Sequence, residues 1–378
     1  MQTFFTVIKD VLRKLIQLLL KQFGVNLLTK EQTEDYLEPY LMKSSPKTHR
    51  VMPNVQNHAN SARLIFRPTG AVTHQSNVWN YVPNTTNIKQ LPYGGILVDT
   101  KVLCTDFESH HVVKNFLTAG KRTVSEHHIV IAPWSHYLDG ISFGGYYDFV
   151  ILVAAKLCRI RESLPEDVFS EAVLSYPLFK TAYEQEYLAL IGFEQNRIFD
   201  SRLHEIRFNR CILGNSGHWF YPNPADIMAL KKLVEKVLKP QRTEFNRIYI
   251  SRAGRRRVAN EANLITLLEK YNFIIIEDKP RSVAEQVTIY KNASFIMGPH
   301  GASFTNIIWC EPGTHLFELF SSTMVIDHFR YLSQAMDMTY SAYCHDIKMG
   351  NSRYALEEDI FVSIADLEKS LNELFEHA

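Results

Sequence analysis

Between residues 246 and 320, apolar runs short enough to be strands alternate strictly with segments of helical length. The runs NRIYISR (246–252), NFIIIED (272–278), ASFIMG (293–298) and THLFELF (314–320) read as strands. Glu261–Tyr271, Ser282–Lys291 and a segment opening near Ala302 read as the helices between them. Strands separated by helices must cross over to pair, and the crossover is right-handed, so the pattern predicts a parallel sheet with helices on its faces, a Rossmann-like domain. Ligands of such sheets sit outside the carboxyl ends of the strands, which limits where a site can lie.

The chain has 378 residues, more than one ordinary core holds, and about 150 residues per domain gives two domains. The expected layout is an amphipathic helix over 1–24, an N-terminal α/β domain over 25–220, the Rossmann-like domain over 221–350, and a helix over 351–378 packing back on the N-terminal domain. In the first half, residues 91–104 and 128–134 read as strands and Ala182–Phe193 as a helix ending near Gly192. YYDFVILVAAKLCRIRESL follows a Gly-rich turn, placing Asp148 near a helix start, where the helix dipole favours an acid. Residues 43–80, rich in Ser, Pro, Asn and His, read as irregular structure joining the first helix to a domain.

Forty-one basic against 40 acidic residues leave a net charge of +1, with 46% hydrophobic residues. That composition excludes a disordered chain and argues against a dedicated nucleic-acid binder, so any anion site must be local. Five widely spaced cysteines without a C-x-x-C pair form neither a disulfide framework nor a zinc knuckle. Lys9, Asp10, Arg13 and Lys14 interrupt the first apolar run, which indicates neither a membrane span nor a secretory signal. Over residues 3–21 the apolar positions fall on one arc and a mostly basic set on the other, which suits a helix resting on its own domain or on anionic lipid. A cytoplasmic protein is the expectation, with contact to the inner face of the cell membrane through residues 3–21 as the alternative to packing on its own domain.

Three constellations fall at the carboxyl ends of the predicted strands. Ser251 and Arg252 lead into Arg255, Arg256 and Arg257, with Asn260 and Glu261 opening the next helix; guanidiniums beside a helix N-terminus make a pyrophosphate site, against the plainer reading of a solvated basic turn. Gly298-Pro299-His300-Gly301-Ala302-Ser303-Phe304-Thr305-Asn306 offers close backbone approach and free N–H groups. Glu318, in LFELF, suits ribose hydroxyls or a structural pairing with one of the arginines. Neither a P-loop nor a G-x-G-x-x-G fingerprint is present, and no D-x-D pair marks a metal site.

Residues 249–320, with Arg252, the run to Glu261, Glu285-Gln286, the G-x-H-G-A-x-x-T-N block and the F-E-L strand, resemble the C-terminal half of glycosyltransferase family 61. That family includes bacterial capsular-polysaccharide enzymes, plant xylan-decorating transferases and animal O-linked N-acetylglucosaminyltransferases. The resemblance implies a GT-B-type architecture, two Rossmann-like domains facing a cleft, and inverting transfer without an essential metal or cofactor. The donor is a nucleoside-diphosphate sugar, UDP-linked as first choice, and the acceptor a glycan or lipid-linked glycan. It assigns Arg252 and Arg256 to the diphosphate, His300, Gly301 and Ala302 to the phosphate loop, and Glu318 to the ribose; Ser251, Asn260, Gly298 and Asn306 complete the donor site. An inverting transferase needs a base for the acceptor hydroxyl. Asp148 matches the family's acid at a helix start and is the first choice, followed by Asp139 and His136. The histidines of that family segment are replaced here by Gly144, Gly145, Tyr146 and Tyr147. A capsule or other surface-polysaccharide transferase is therefore the leading expectation. A non-catalytic nucleotide-sugar- or glycan-binding scaffold and a polysaccharide pyruvyltransferase are the competing ones.

Overall fold

The computed structural model describes residues 15, 18–52, 54–59, 65–66, 69–85, 87–92, 94–106, 120–133, 145–215, 220–346 and 357–376. The chain divides into two compact units, 1–47 with 74–234, and 48–73 with 235–378. The amphipathic helix expected over 1–24 lies largely outside the described residues; within its described part Leu15, Leu18 and Leu19 are exposed. Among the described residues no helix is long and apolar enough to cross a membrane.

The first unit is built on a mixed six-stranded sheet. Its strands are β1 (Leu41–Ser44), β2 (Asn77–Tyr81), β3 (Thr123–Ile131), β4 (Val173–Tyr176), β5 (Ile198–Asp200) and β6 (His204–Gly214), in the order β5-β4-β3-β6-β2-β1. The four strands β5 to β6 run parallel and the last two pair antiparallel. Short strands Asn26–Leu27, Ile88–Gln90, Ile96–Val98 and Lys101–Leu103 make a second sheet. The helical rod α1 runs through Tyr146–Asp148, Phe149–Ala154 and Ala155–Ser163, and its middle segment is a π-helix whose six residues are all buried. Helix α2 (Ala182–Ile191) ends where Gly192 turns left-handed at φ +102°, a conformation glycine adopts without strain. Helix α3 (Pro224–Leu238) leads toward the second unit's sequence. Two buried charges of α1 are neutralised in place: Lys156 Nζ lies 2.7 Å from both Asp106 oxygens, and Arg159 Nε 2.5 Å from Asp226. Removing either acid would strand a buried cation, a loss of about 3–5 kcal/mol.

The second unit carries the parallel sheet that the sequence pattern predicts. It consists of β7 (Asn246–Ile250), β8 (Phe273–Ile276), β9 (Ala293–Pro299), β10 (His315–Phe320) and β11 (Thr339–Cys344). All four pairings are parallel, in the order β8-β7-β9-β10-β11. The central strands β9 and β10 are buried almost throughout, as expected of strands covered on both faces. Helices α4 (Glu261–Lys270) and α5 (Val283–Lys291) and a 3-10 helix, Ala302–Trp309, make the crossovers, and α6 (His328–Ala335) precedes β11. Ser282 caps α5 in a reciprocal box with Glu285. Strand β11 and helix α6 were not anticipated, because TYSAYC and HFRYLSQA mix polar and aromatic residues without a clean period.

Two expectations are corrected here. The last helix, α7 (Ile364–Glu376), packs in the second unit's own core: Leu367 and Leu371 are fully buried with Leu264, Leu267 and Leu268 of α4. Its apolar face belongs to the sheet that α4 already covers. The stretch read as irregular linker over 43–80 instead holds β1, β2 and strands Thr48–Met52 and Thr69–His74. Part of it extends the second unit beyond β11: Asn57 bridges Ala342, accepts from the Cys344 N–H and donates to the Cys344 carbonyl at 2.7 Å. All five cysteines are buried.

His58, from that same segment, lies near His315 at the start of β10. The His315 ring stacks on Phe295 with centroids 4.6 Å apart, its Nδ1 meets Thr339 Oγ1 at 2.8 Å, and its Nε2 has no partner. Burial, then His58, pushes His315 down to about 4. Burial also lowers His58, against the raising influence of Glu373 on α7. The unfolded chain therefore binds more protons below the ordinary histidine value, so this stability is complete above about pH 6.5 and is lost as pH falls toward 4. Thermal melts should show a lower transition at pH 5 than at pH 7.5, with His315→Gln removing part of the difference; an unchanged difference would assign it to other groups.

Candidate functional site

The strand order of the second unit fixes the place of the site. From β7 the chain crosses to β8 on one side, and from β9 it crosses to β10 on the other, so the connections diverge between β7 and β9 and leave a crevice at their carboxyl ends. The segment after β7 contains Arg252 and Arg256, and the segment after β9 contains His300 and Gly301. Arg252 Nη1 donates to the His300 carbonyl at 2.9 Å, tying the two segments together.

Two glycines allow this proximity. A Cβ on Gly298 would stand 2.8 Å from the Ile250 carbonyl of β7, and one on Gly301 would stand 1.9 Å from Arg252 Nη1. The Arg252 guanidinium thus lies over the bare backbone of Gly301. Ala302 opens the 3-10 helix and is exposed, beside backbone N–H groups at a helix start.

The three consecutive arginines part ways. Arg257 pairs with Asp359 at 3.1 Å and Arg255 is exposed. Arg256 takes up left-handed backbone at φ +61°, a conformation that costs a non-glycine residue about 1–3 kcal/mol. Its Nε is buried without a partner and its Nη1 reaches Met324 Sδ at 3.7 Å, a weak acceptor. Among the described residues no carboxylate lies within ion-pair distance of Arg252 or Arg256. Burial, then Arg252 and Arg255, pulls Arg256 down to about 10, and burial followed by Arg255 lowers Arg252. Both guanidiniums have their charge disfavoured, a bias that a bound anion would relieve.

His300 is buried beside them. Its Nδ1 lies 2.5 Å from Glu318 Oε1, and Tyr340 donates its hydroxyl to Glu318 Oε2 at 2.6 Å. The ring stacks on Phe320, with Phe329 on another side. Burial, then Arg256 and Arg252, pushes His300 down to about 3, while burial raises Glu318 far above the ordinary carboxyl value. Both shifts favour the neutral members of the pair: a carboxylic acid donating to Nδ1 and an imidazole carrying its proton on Nε2.

Several residues assigned to the donor site from sequence have protein partners of their own. Glu318 is fully buried and both its oxygens are engaged, so it orients His300 in place of meeting a ribose or an arginine. Asn260 spends its amide on the backbone of Val362 in both directions. Asn306 is buried among Gln286, Ser303 and Trp309, and Ser251 donates to Glu261. These three hold the site's walls; their spacing in the motif resembles that of ligand contacts, and only packing distinguishes the two roles. Tyr340 was missed because β11 was missed.

In the first unit, Asp148 occupies the third position of α1, is buried, and accepts from the Gly145 N–H at 3.2 Å. It follows the carboxyl end of β3 and directly precedes the π-helical segment, a helix irregularity frequent at functional sites. Tyr146 and Tyr183 meet edge to face beside it, and the Tyr146 and Tyr187 hydroxyls are 3.0 Å apart. His136 and Asp139 lie outside the described residues. Among the described residues no three His, Cys, Asp or Glu side chains group as metal ligands.

Gly301→Ala should displace the Arg252 guanidinium without breaking the backbone fold. The expected result is a melting temperature within about 3 °C of wild type, together with at least a tenfold loss of pyrophosphate affinity by calorimetry, equivalent to about 1.4 kcal/mol. Unchanged affinity would remove Arg252 from the anion site.

Comparison with known proteins agrees with this geometry. The family described as Glycosyltransferase 61 matches residues 80–317, spanning parts of both units. A beta-1,2-xylosyltransferase of Arabidopsis thaliana is 31% identical over 90 residues, 24% of this chain and 16% of that enzyme's length. With the family matched over more than half of its length, the chain belongs to glycosyltransferase family 61.

Proposed function

We propose that the protein transfers a sugar, with inversion, from a nucleoside-diphosphate sugar to a glycan hydroxyl, without an essential metal or cofactor. One observation carries this reading: Arg252 and Arg256, without an ion-pair partner among the described residues and charge-disfavoured, lie beside His300 at the switch point of a parallel sheet. Fixed cations there would bind the diphosphate and stabilise the charge that develops as it leaves. In this reading the two units take the parts of acceptor-binding and donor-binding domains of a GT-B-type enzyme. UDP is the first choice of nucleotide, and the setting is surface-polysaccharide synthesis at the inner face of a membrane, with a free or lipid-linked glycan as acceptor. Membership of the family supports the donor and acceptor classes. The amphipathic pattern of residues 3–21 supports the setting.

Asp148 is the proposed base. It stands at the start of the helical rod, and the tyrosines beside it provide aromatic surface for a sugar ring. It would take the acceptor proton as the hydroxyl oxygen attacks the anomeric carbon.

Thermal shift against UDP-, GDP- and CMP-sugars, followed by transfer assays, tests the reading. One nucleotide should raise the melting temperature. Arg252→Ala or Arg256→Ala should weaken its binding about 10- to 100-fold, as expected for a hydrogen-bonded charge contact. Asp148→Asn should retain donor binding and lose at least about 100-fold in kcat. Absence of binding to all three nucleotide classes would refute the proposal; undiminished turnover in Asp148→Asn would move the base elsewhere.

A further inference from the structure

Glu318 and Tyr340 are more elaborate than the support of one ring requires. Three side chains from adjacent parts of the sheet form a line: His300 just beyond β9, Glu318 on β10 and Tyr340 on β11. Gly298 pairs with Glu318, and Glu318 with Ala342. His300 and Tyr340 are each two residues from those partners in sequence, and they meet opposite oxygens of the Glu318 carboxyl group. The Tyr340 hydroxyl occupies Oε2, which leaves Oε1 to face Nδ1 at 2.5 Å. A distance this short between two buried groups is suited to moving a proton without water.

Resting on the nucleotide-sugar reading of the same site, we propose that Glu318 stores a proton in the empty enzyme and passes it to His300 when the diphosphate is bound, with Tyr340 as a positioning residue for Glu318. Before binding, the positive Arg252 and Arg256 discourage a third positive charge on His300. A diphosphate on those arginines reverses that field. The proton then moves from Glu318 Oε1 to His300 Nδ1, leaving a carboxylate that still accepts from Tyr340 and an imidazolium that retains its Nε2–H. When the anomeric C–O bond breaks, its electron pair goes to the diphosphate oxygen, and the imidazolium adds a positive charge near that oxygen. On departure of the nucleotide the proton returns to Glu318. No proton is exchanged with solvent and no other reactant is needed.

The test uses the full chain with 15N-labelled histidine, UDP as the probe, and His300→Asn to assign the signal. On saturation with UDP the His300 resonances should change from one protonated nitrogen to two. Glu318→Gln can still donate an amide N–H to Nδ1 and accept from Tyr340, so it should fold and still bind UDP, about tenfold more weakly because the proton shift no longer contributes to affinity. It has no proton to pass, so His300 should remain neutral on UDP binding and kcat should fall at least tenfold. Tyr340→Phe should show a smaller fall in kcat and incomplete conversion of His300. A His300 ring that stays neutral in UDP-saturated wild type overturns the proposal without recourse to any variant. Wild-type kcat in Glu318→Gln overturns it equally. Failure of the wild-type protein to bind UDP or any other nucleotide sugar would instead refute the underlying reading.

Discussion

The crevice between β7 and β9 is the constraint from which the functional half of this molecule follows. Parallel strands need crossovers, and two neighbouring strands whose crossovers diverge leave their carboxyl ends uncovered. Side chains there sit over backbone, which explains why Gly298 and Gly301 occur where Ile250 and Arg252 approach most closely. The same geometry brings a segment rich in guanidinium against one that carries an imidazole. Neither segment would form an anion site alone.

Electrostatics gives the site its bias. Arg256 is held in costly backbone, no carboxylate lies within ion-pair distance of Arg252 or Arg256 among the described residues, and the Glu318 carboxyl group is buried where its neutral form is favoured. Elsewhere in the protein buried charges are paired closely, as with Lys156 and Asp106.

Much of this was legible in the residues. Four of the second unit's five strands, their order along the chain and the two loops at the crevice follow from apolar period and glycine placement. What the sequence could not supply was partner choice. Arg255, Arg256 and Arg257 are chemically identical in the sequence and only a positive φ sends the middle one inward. Asn260 and Asn306 sit inside a ligand-like motif yet hold backbone and tryptophan. Glu318 read as a ribose contact because its strand-end position is that of acids in dinucleotide sites; its burial depends on Tyr340, which belongs to a strand without a clear alternation. The destination of α7 was misread for a related reason: a helix's apolar face shows that it packs, whereas its partner is set by which core has room.

Residues 48–73 belong to the second unit although they lie between two stretches of the first. Asn57 completes hydrogen bonds beyond β11, and Ser370 of α7 donates to the His58 carbonyl. The polypeptide therefore passes from one unit to the other near residues 47, 73 and 234. A cut near residue 234 leaves the first unit whole but takes residues 48–73 from the second, so the second cannot be inherited, shuffled or fused as a contiguous module of its own.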